Sequence, residues 1–245
     1  MAITLPTEKI PAKQQDPKRL IIFSKPKVGK STALANLPGC LCVDLEQGGY
    51  DFLDAVKVQI NSVKELKELC MALKEAKCPY DFIALDTISR LEDIAKPLAL
   101  KLFKATPAGS TFTGDDVLDA SHGAGYGALR KAVEMCIDMV AKCTKNVILV
   151  CHSKDAAIGA SDLTIKQISL TGKTGQILAS KSDAIGWLTR DSDSNTILSF
   201  NTNDASIETG ARPAHLKNKE IKLGEMQPDG TIEFHWERVY PSLIK

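Results

Sequence analysis

The sequence predicts an α/β protein in which helices flank a mostly parallel β-sheet. Short apolar runs rich in β-branched residues alternate with segments of helical periodicity, which is typical of the crossover units that build a parallel sheet. The composition agrees, since 245 residues with 44% hydrophobic and 25% charged residues can bury one large core. A net charge of +1 excludes attraction of a polyanion by overall charge, so any nucleic-acid contact needs local basic patches.

The strands are predicted from apolar runs that end in turns or polar residues. Four buried strands are expected at 20–24 (LIIFS), 41–45 (LCVDL), 82–86 (FIALD) and 147–152 (VILVCH). Later strands are expected at 183–190 and 196–200, and residues 219–236 predict a C-terminal β-hairpin around a Pro-Asp-Gly turn.

Three helices are predicted between these strands. The first begins at Gly29 and ends at Pro38-Gly39, because proline and glycine terminate helices. The second covers 62–76, where Ser62 and Glu65 have the spacing of a capping box. The third covers 127–143, where apolar residues recur at helical spacing.

The segments outside these elements differ in character. Residues 1–17 combine prolines and polar residues without a period, so they are expected to form a flexible arm before a single domain over 18–245. Two segments rich in Gly, Ser and Thr, 104–126 and 153–176, are expected to be long loops, which are usually functional in a compact domain. Neither a secretion signal nor a membrane-spanning apolar stretch occurs, and the cysteine spacing indicates buried thiols rather than zinc ligands. A cytoplasmic protein without membrane contact is therefore expected.

A phosphate-binding loop is predicted where the first strand runs into SKPKVGKS at 24–31 and then into a helix. This is the GxxxxGKS pattern with Ser24 in place of the first glycine, and its backbone N–H groups would surround the phosphates. Lys30 would bridge the β- and γ-phosphates, Ser31 would bind Mg²⁺, and Thr32 would lie near the α-phosphate. The predicted loop residues are Ser24, Lys25, Pro26, Lys27, Val28, Gly29, Lys30, Ser31 and Thr32. A second GKT, within 170–175, follows no clear strand and is not expected to bind nucleotide.

Polar residues at the ends of the other strands supply candidates for hydrolysis. Asp86 ends the third strand, where an acidic residue of such proteins holds Mg²⁺, usually through water. Asp44 and Glu46 lie two residues apart near the end of the second strand, and Glu46 is the preferred candidate to orient water because it lies nearer the carboxyl end. His152 could contact the γ-phosphate, or it could be an ordinary hydrogen-bonded residue at the rim.

The order of these motifs resembles the RecA-type P-loop ATPase core, and specifically the compact phage ATPases that act in recombination and single-strand annealing. The resemblance covers residues 18–223 and is carried by SKPKVGKST, CVDLEQGG, FIALDT, VILVCH and LKNKEI. It implies that Glu46 activates water and that His152 senses the γ-phosphate. It also matches Lys217 and Lys219 to a lysine pair that reaches the ATP of an adjacent subunit. His152 stands where the long recombinases carry glutamine, and their extra terminal domains are not found here.

The resemblance implies cofactors and partners as well. ATP and Mg²⁺ are the expected cofactors, although the residues alone do not decide between ATP and GTP. Self-association into a ring or a filament is expected, with single-stranded DNA bound by the loops 104–126 and 153–176. The residues available for phosphates and base stacking are Lys104, Lys154, Lys166, Lys173, Lys181, Phe112 and Tyr126. A single-strand DNA-binding protein is a candidate partner, and a phage-encoded chain would act in the cytoplasm of the bacterial host.

Two other functions fit the phosphate loop. A small-molecule P-loop kinase usually clamps the transferred group with arginines, but neither 104–126 nor 153–176 contains one. A non-hydrolysing interaction module would use the nucleotide only as a structural ligand. Measuring phosphoryl transfer and product release separates these two alternatives from an ATPase.

Overall fold

The computed structural model describes residues 5, 7–9, 15–157 and 164–244. Most of the predicted arm over 1–17 lies outside the described residues, so its flexibility stays a prediction. Within the described part of the chain, no helix combines the length and apolar character needed to cross a membrane.

Helices and strands alternate through the first two thirds of the chain, and strands dominate the remainder. In chain order, the elements are β1 (Arg19–Ser24), α1 (Lys30–Ala35), β2 (Cys40–Asp44), β3 (Lys57–Gln59), α2 (Val63–Glu75), β4 (Phe82–Asp86), α3 (Ile88–Lys104), α4 (Ala124–Ala141), β5 (Asn146–Ala157), β6 (Thr164–Ile168), α5 (Thr174–Lys181), β7 (Ala184–Arg190), β8 (Thr196–Ser199), β9 (Gly210–Ala211), β10 (Glu220–Met226) and β11 (Ile232–Phe234). Single 3₁₀ turns occur at Val117–Asp119, Ser121–Gly123, Trp236–Arg238 and Pro241–Leu243.

The strands of the described residues form one connected sheet, whose main path has the order β11-β10-β8-β7-β1-β5-β4-β2-β3. Off this path, β6 pairs with β5 and β9 pairs with β7. The six strands from β7 to β3 run parallel, while β8, β10 and β11 extend the sheet in antiparallel fashion. The predicted mostly parallel sheet and the C-terminal hairpin are therefore confirmed.

The sheet separates two apolar cores. Ile21 and Phe23 of β1 face a core that α2, α3, α4 and α5 complete. Leu20 and Ile22 face the opposite core, formed with α1 and the C-terminal 3₁₀ turns. Successive side chains along a strand point to opposite faces of the sheet. Because both faces of the central parallel strands are buried, the sequence of each such strand is a continuous apolar run.

Strand register brings the predicted polar residues to one edge of the sheet. Ser24 pairs with His152 across β1 and β5, and Asp44 pairs with Asp86 across β2 and β4. Because these strands are parallel, their carboxyl ends meet at the same edge, where open α/β sheets bind ligands.

Helix α3 was not predicted from the sequence. It packs against both the sheet and α4 and buries one stripe that includes Ile88, Leu91, Ala95, Ala99 and Phe103. Pro97 lies within it and weakens the local helical pattern.

The prediction of a long loop over 153–176 is wrong for most of its length. Strand β5 continues to Ala157, and β6 pairs back on it in antiparallel fashion before α5 begins. Residues 158–163 lie outside the described residues. The alternation in β6 is hard to recognise because its side chains are mostly polar and only half-buried. The segment 104–126 contains two 3₁₀ turns, and α4 starts three residues earlier than predicted, at Ala124.

Two glycines of α4 offer a matched test of how the start of this helix packs against the 3₁₀ turn at Val117–Asp119. A Cβ on Gly125 would lie 1.7 Å from the carbonyl oxygen of Val117, whereas a Cβ on Gly127 meets nothing within 4 Å. Gly125→Ala is expected to lower the free energy of unfolding by about 2 kcal/mol, since overpacking forces the backbone to shift. Gly127→Ala is expected to raise it by about 0.5–1 kcal/mol, because alanine is the better helix former. Urea denaturation of both variants checks the difference, and equal stabilities would contradict this packing of α4.

Candidate functional site

The predicted phosphate loop connects β1 to α1 at the carboxyl edge of the sheet. Lys30 is only 7% exposed, and its Nζ donates to Ser24 Oγ at 2.9 Å and to the carbonyl of Lys25 at 3.0 Å. Gly29 has a φ of 109°, a conformation that glycine adopts without strain. Ser24, in place of the usual glycine, therefore supplies a hydrogen-bond acceptor that holds the lysine against the loop.

The charge on Lys30 is influenced by two carboxylates of the site. The pKa of Lys30 lies below its usual value because the effect of burial exceeds that of the carboxylates of Asp86 and Glu46, which raise the pKa. Both acceptors of the ammonium are uncharged groups. The lysine is thus a buried cation held by neutral oxygens, and an anionic phosphate would be a stronger partner.

Ser31 and Asp86 form the part of the site that fits a magnesium ion. Ser31 Oγ donates to Asp86 Oδ2 at 2.7 Å, and Asp86 is 4% exposed. Burial raises the pKa of Asp86, and the hydrogen bonds from Ser31 and Tyr50 oppose that shift. A hydroxyl and a carboxylate beside a phosphate loop are the oxygen donors that Mg²⁺ prefers, so these two residues would hold the metal.

Glu46 lies at the same edge and is held by two donors. Its Oε1 accepts from Thr87 Oγ1 at 2.7 Å and from His152 Nε2 at 2.9 Å. The hydrogen bond from His152 is the main reason why the pKa of Glu46 lies below its usual range. Its side chain is 40% exposed, so an ionised carboxylate can reach a water molecule.

Asp44 has a different place from Glu46. It is 3% exposed, and its Oδ1 accepts from the backbone N–H of Glu46 at 2.9 Å. Asp44 therefore shapes the turn that presents Glu46.

His152 ends the paired part of β5 beside β1. Its Nε2 is used by Glu46, and its Nδ1 is buried without a hydrogen-bond partner among the described residues. Its carbonyl accepts from the backbone N–H of Ser169 at 2.8 Å. The residue thus links the site to the segment that follows β6.

The other predicted residues lie elsewhere. Lys217 and Lys219 are exposed before β10, which β8 and β7 separate from β1, so they are outside the site of their own chain. The second GKT lies at the start of α5, where Lys173 is exposed.

Several residues proposed for DNA have partners within the chain. Lys154 donates to the carbonyl of Leu170 at 2.7 Å, and Lys181 pairs with Glu134 at 3.0 Å. The amine of Lys104 lies 6.0 Å from the ring centre of Phe112, and that ring packs on Phe103. Tyr126 is 47% exposed and remains available for stacking.

Sequence reasoning missed three residues that contact the site, one of which is Thr87, the donor to Glu46. Tyr50 donates to Asp86 Oδ2 at 2.8 Å, and Arg190 Nε donates to the carbonyl of Val28 at 3.1 Å. Tyr50 follows the VDLEQGG motif closely, which was the only local signal for it. Arg190 gave no signal, because only the pairing of β7 with β1 places it beside the phosphate loop.

Comparison with known proteins finds similarity to a protein family and to solved structures. A protein family described as an AAA domain matches residues 16–219. The solved structure of the KaiC-like protein PH0186 from the hyperthermophilic archaeon Pyrococcus horikoshii OT3 aligns with a TM-score of 0.50 at 11% identity, covering 89% of each chain. No curated protein sequence matches significantly. At this identity, the structural likeness shows the fold alone.

Proposed function

We propose, from the premise that this chain belongs to the AAA domain family and has a RecA-like P-loop ATPase core, that it binds ATP with Mg²⁺ and hydrolyses it on single-stranded DNA. The observation that carries the proposal is the position of the ionised Glu46 beside His152 and Thr87, at the edge that also holds Lys30 and Asp86. Phage recombination or strand annealing is the proposed setting, and it rests on the motif resemblance.

Each residue of the site has a defined part in the proposed reaction. Lys30 exchanges its neutral acceptors for phosphate oxygens, which binds the nucleotide and stabilises charge on the γ-phosphate. Glu46 orients the attacking water and takes its proton. His152 holds Glu46 in position, and its buried Nδ1 has no hydrogen-bond partner among the described residues. When bound, Mg²⁺ neutralises phosphate charge.

The connection of His152 to Ser169 supports an effect of DNA on hydrolysis. A shift of His152 would move the segment that leads into α5, where Lys173 lies. The ring of Tyr126 would be 3.4 Å from a Cβ on Gly172, so an exposed aromatic ring lies beside an exposed lysine. A base and a phosphate of a single strand could bind side by side here.

The decisive experiment measures ATP turnover with and without single-stranded DNA, at low and moderate salt. Turnover is expected to rise with DNA. Lys173→Ala should weaken that stimulation and lower the salt slope of DNA binding by about one, because one phosphate contact is lost. Lys145→Ala, at the opposite edge of the sheet, is the matched control and should behave as wild type. An ATP turnover rate that is the same with and without single-stranded DNA at both salt concentrations would contradict the proposed action on DNA.

A further inference from the structure

The loop that follows Glu46 turns back on itself and inserts a tyrosine under the site. Gln47 and Gly48 have φ values of 62° and 92°, which reverse the chain direction. Asp44 fixes the start of this turn by accepting from the N–H of Glu46. Tyr50 then lies within the core beside α1 and is only 1% exposed.

The hydroxyl of Tyr50 contacts the carboxylate expected to hold the metal. It donates to Asp86 Oδ2 at 2.8 Å, the same oxygen that accepts from Ser31 at 2.7 Å. The backbone also joins the two strands here, because the N–H of Leu45 donates to the carbonyl of Asp86 at 2.8 Å.

The residue after Asp86 makes the matching contact at the start of the loop. Thr87 is 1% exposed, and its hydroxyl donates to Glu46 at 2.7 Å. Two consecutive residues, Asp86 and Thr87, are therefore bonded to Tyr50 and Glu46, which lie four positions apart on a single turn. Two side-chain hydrogen bonds therefore join the end of β4 to the loop that carries Glu46.

We propose that Tyr50 is a positioning residue of the metal site, whose hydroxyl fixes the Asp86 carboxylate and couples it to the loop that carries Glu46. The inference rests on the proposed function as an ATPase that uses Mg²⁺. Since Ser31 is expected to serve as a metal ligand, Tyr50 is the described donor left to orient Oδ2 of Asp86. An isolated carboxylate in this buried position would lose its fixed orientation.

Tyr50→Phe tests the inference because it removes only the hydroxyl and retains the buried ring. Affinity for a fluorescent ATP analogue is measured in EDTA and across a Mg²⁺ titration. In EDTA, the affinity should equal that of wild type. The Mg²⁺ concentration that gives half of the affinity gain should rise about tenfold, the size expected when a charged group loses one hydrogen bond.

Tyr240→Phe is the matched control. Tyr240 is fully buried, and its hydroxyl has no hydrogen-bond partner among the described residues, so the variant should keep the Mg²⁺ dependence of wild type. A Tyr50→Phe protein with wild-type Mg²⁺ dependence would overturn the inference while leaving the ATPase proposal intact. If wild-type protein binds no nucleotide at all, the proposed function fails instead.

A second variant separates positioning from a purely structural effect. In an Asp86→Ala background the carboxylate that accepts from Tyr50 is gone, so adding Tyr50→Phe should change the Mg²⁺ dependence no further. A further loss of the same size in this background would show that Tyr50 acts independently of Asp86 and would overturn the proposal. Melting temperatures of all variants show whether each one is folded, and the pair made in the Asp86→Ala background still decides the question if Tyr50→Phe alone is destabilised.

Discussion

Replacing Lys30 with alanine is expected to abolish ATP turnover, with kcat falling by about two to three orders of magnitude or more, as when one charge-stabilising donor is removed from an active site. The reason is the position of the ammonium, which is 7% exposed and held by two uncharged oxygens of the loop. No other cation of the described site lies in this position. Steady-state phosphate release measures the effect, and nucleotide affinity should fall together with it.

The control for this change is Lys64→Ala, which removes an exposed lysine of α2 paired only loosely with Glu68 at 3.8 Å. It should leave turnover unchanged, since isolated surface ion pairs contribute little.

The Lys30→Ala chain also tests the proposed contact between subunits. Mixed with a chain lacking the lysines at 217 and 219, it should restore turnover if those lysines act on the neighbouring ATP. Wild-type turnover by Lys30→Ala itself would show that the loop does not bind the reacting phosphate.

Glu46→Gln is expected to reduce kcat by about two to four orders of magnitude, the range of general acid–base catalysis, while nucleotide affinity stays near that of wild type. The glutamine oxygen can still accept from Thr87 and His152, so the local geometry is retained. The amide cannot take a proton from water. Single-turnover hydrolysis and equilibrium binding of ATP distinguish the two effects.

Asp44→Asn is the matched control, because the neighbouring carboxylate was the other candidate at this strand end. Its amide oxygen can still accept from the N–H of Glu46, so the turn should persist and kcat should change little. A large loss for Asp44→Asn with none for Glu46→Gln would reverse the assignment. Unchanged product release in Glu46→Gln would instead favour the non-hydrolysing interaction module.

The local sequence pattern predicted the strands that are buried on both faces of the sheet and the helix that buries one uninterrupted face. Strands β1, β2, β4 and β5 are buried on both faces, so each reads as an apolar run that ends in a turn or polar residue. Helix α2 buries one stripe, and the capping contact of Ser62 with the N–H of Glu65 was visible from spacing. Helix α3 also buries one stripe, but Pro97 interrupts its pattern, and the mostly polar, half-buried side chains of β6 hide its alternation.

The phosphate loop and the acidic and polar residues at the strand ends were predictable from the amino-acid sequence, because a strand, a turn and a helix start are consecutive in the chain. Which of those residues meet depends on how the strands pair in the folded protein. Strand order places β1 between β7 and β5, which brings Arg190 to the loop and His152 to Glu46. The contact of Tyr50 with Asp86 likewise depends on the pairing of β2 with β4. Such pairings are set by the packing of the whole sheet, which no short segment encodes.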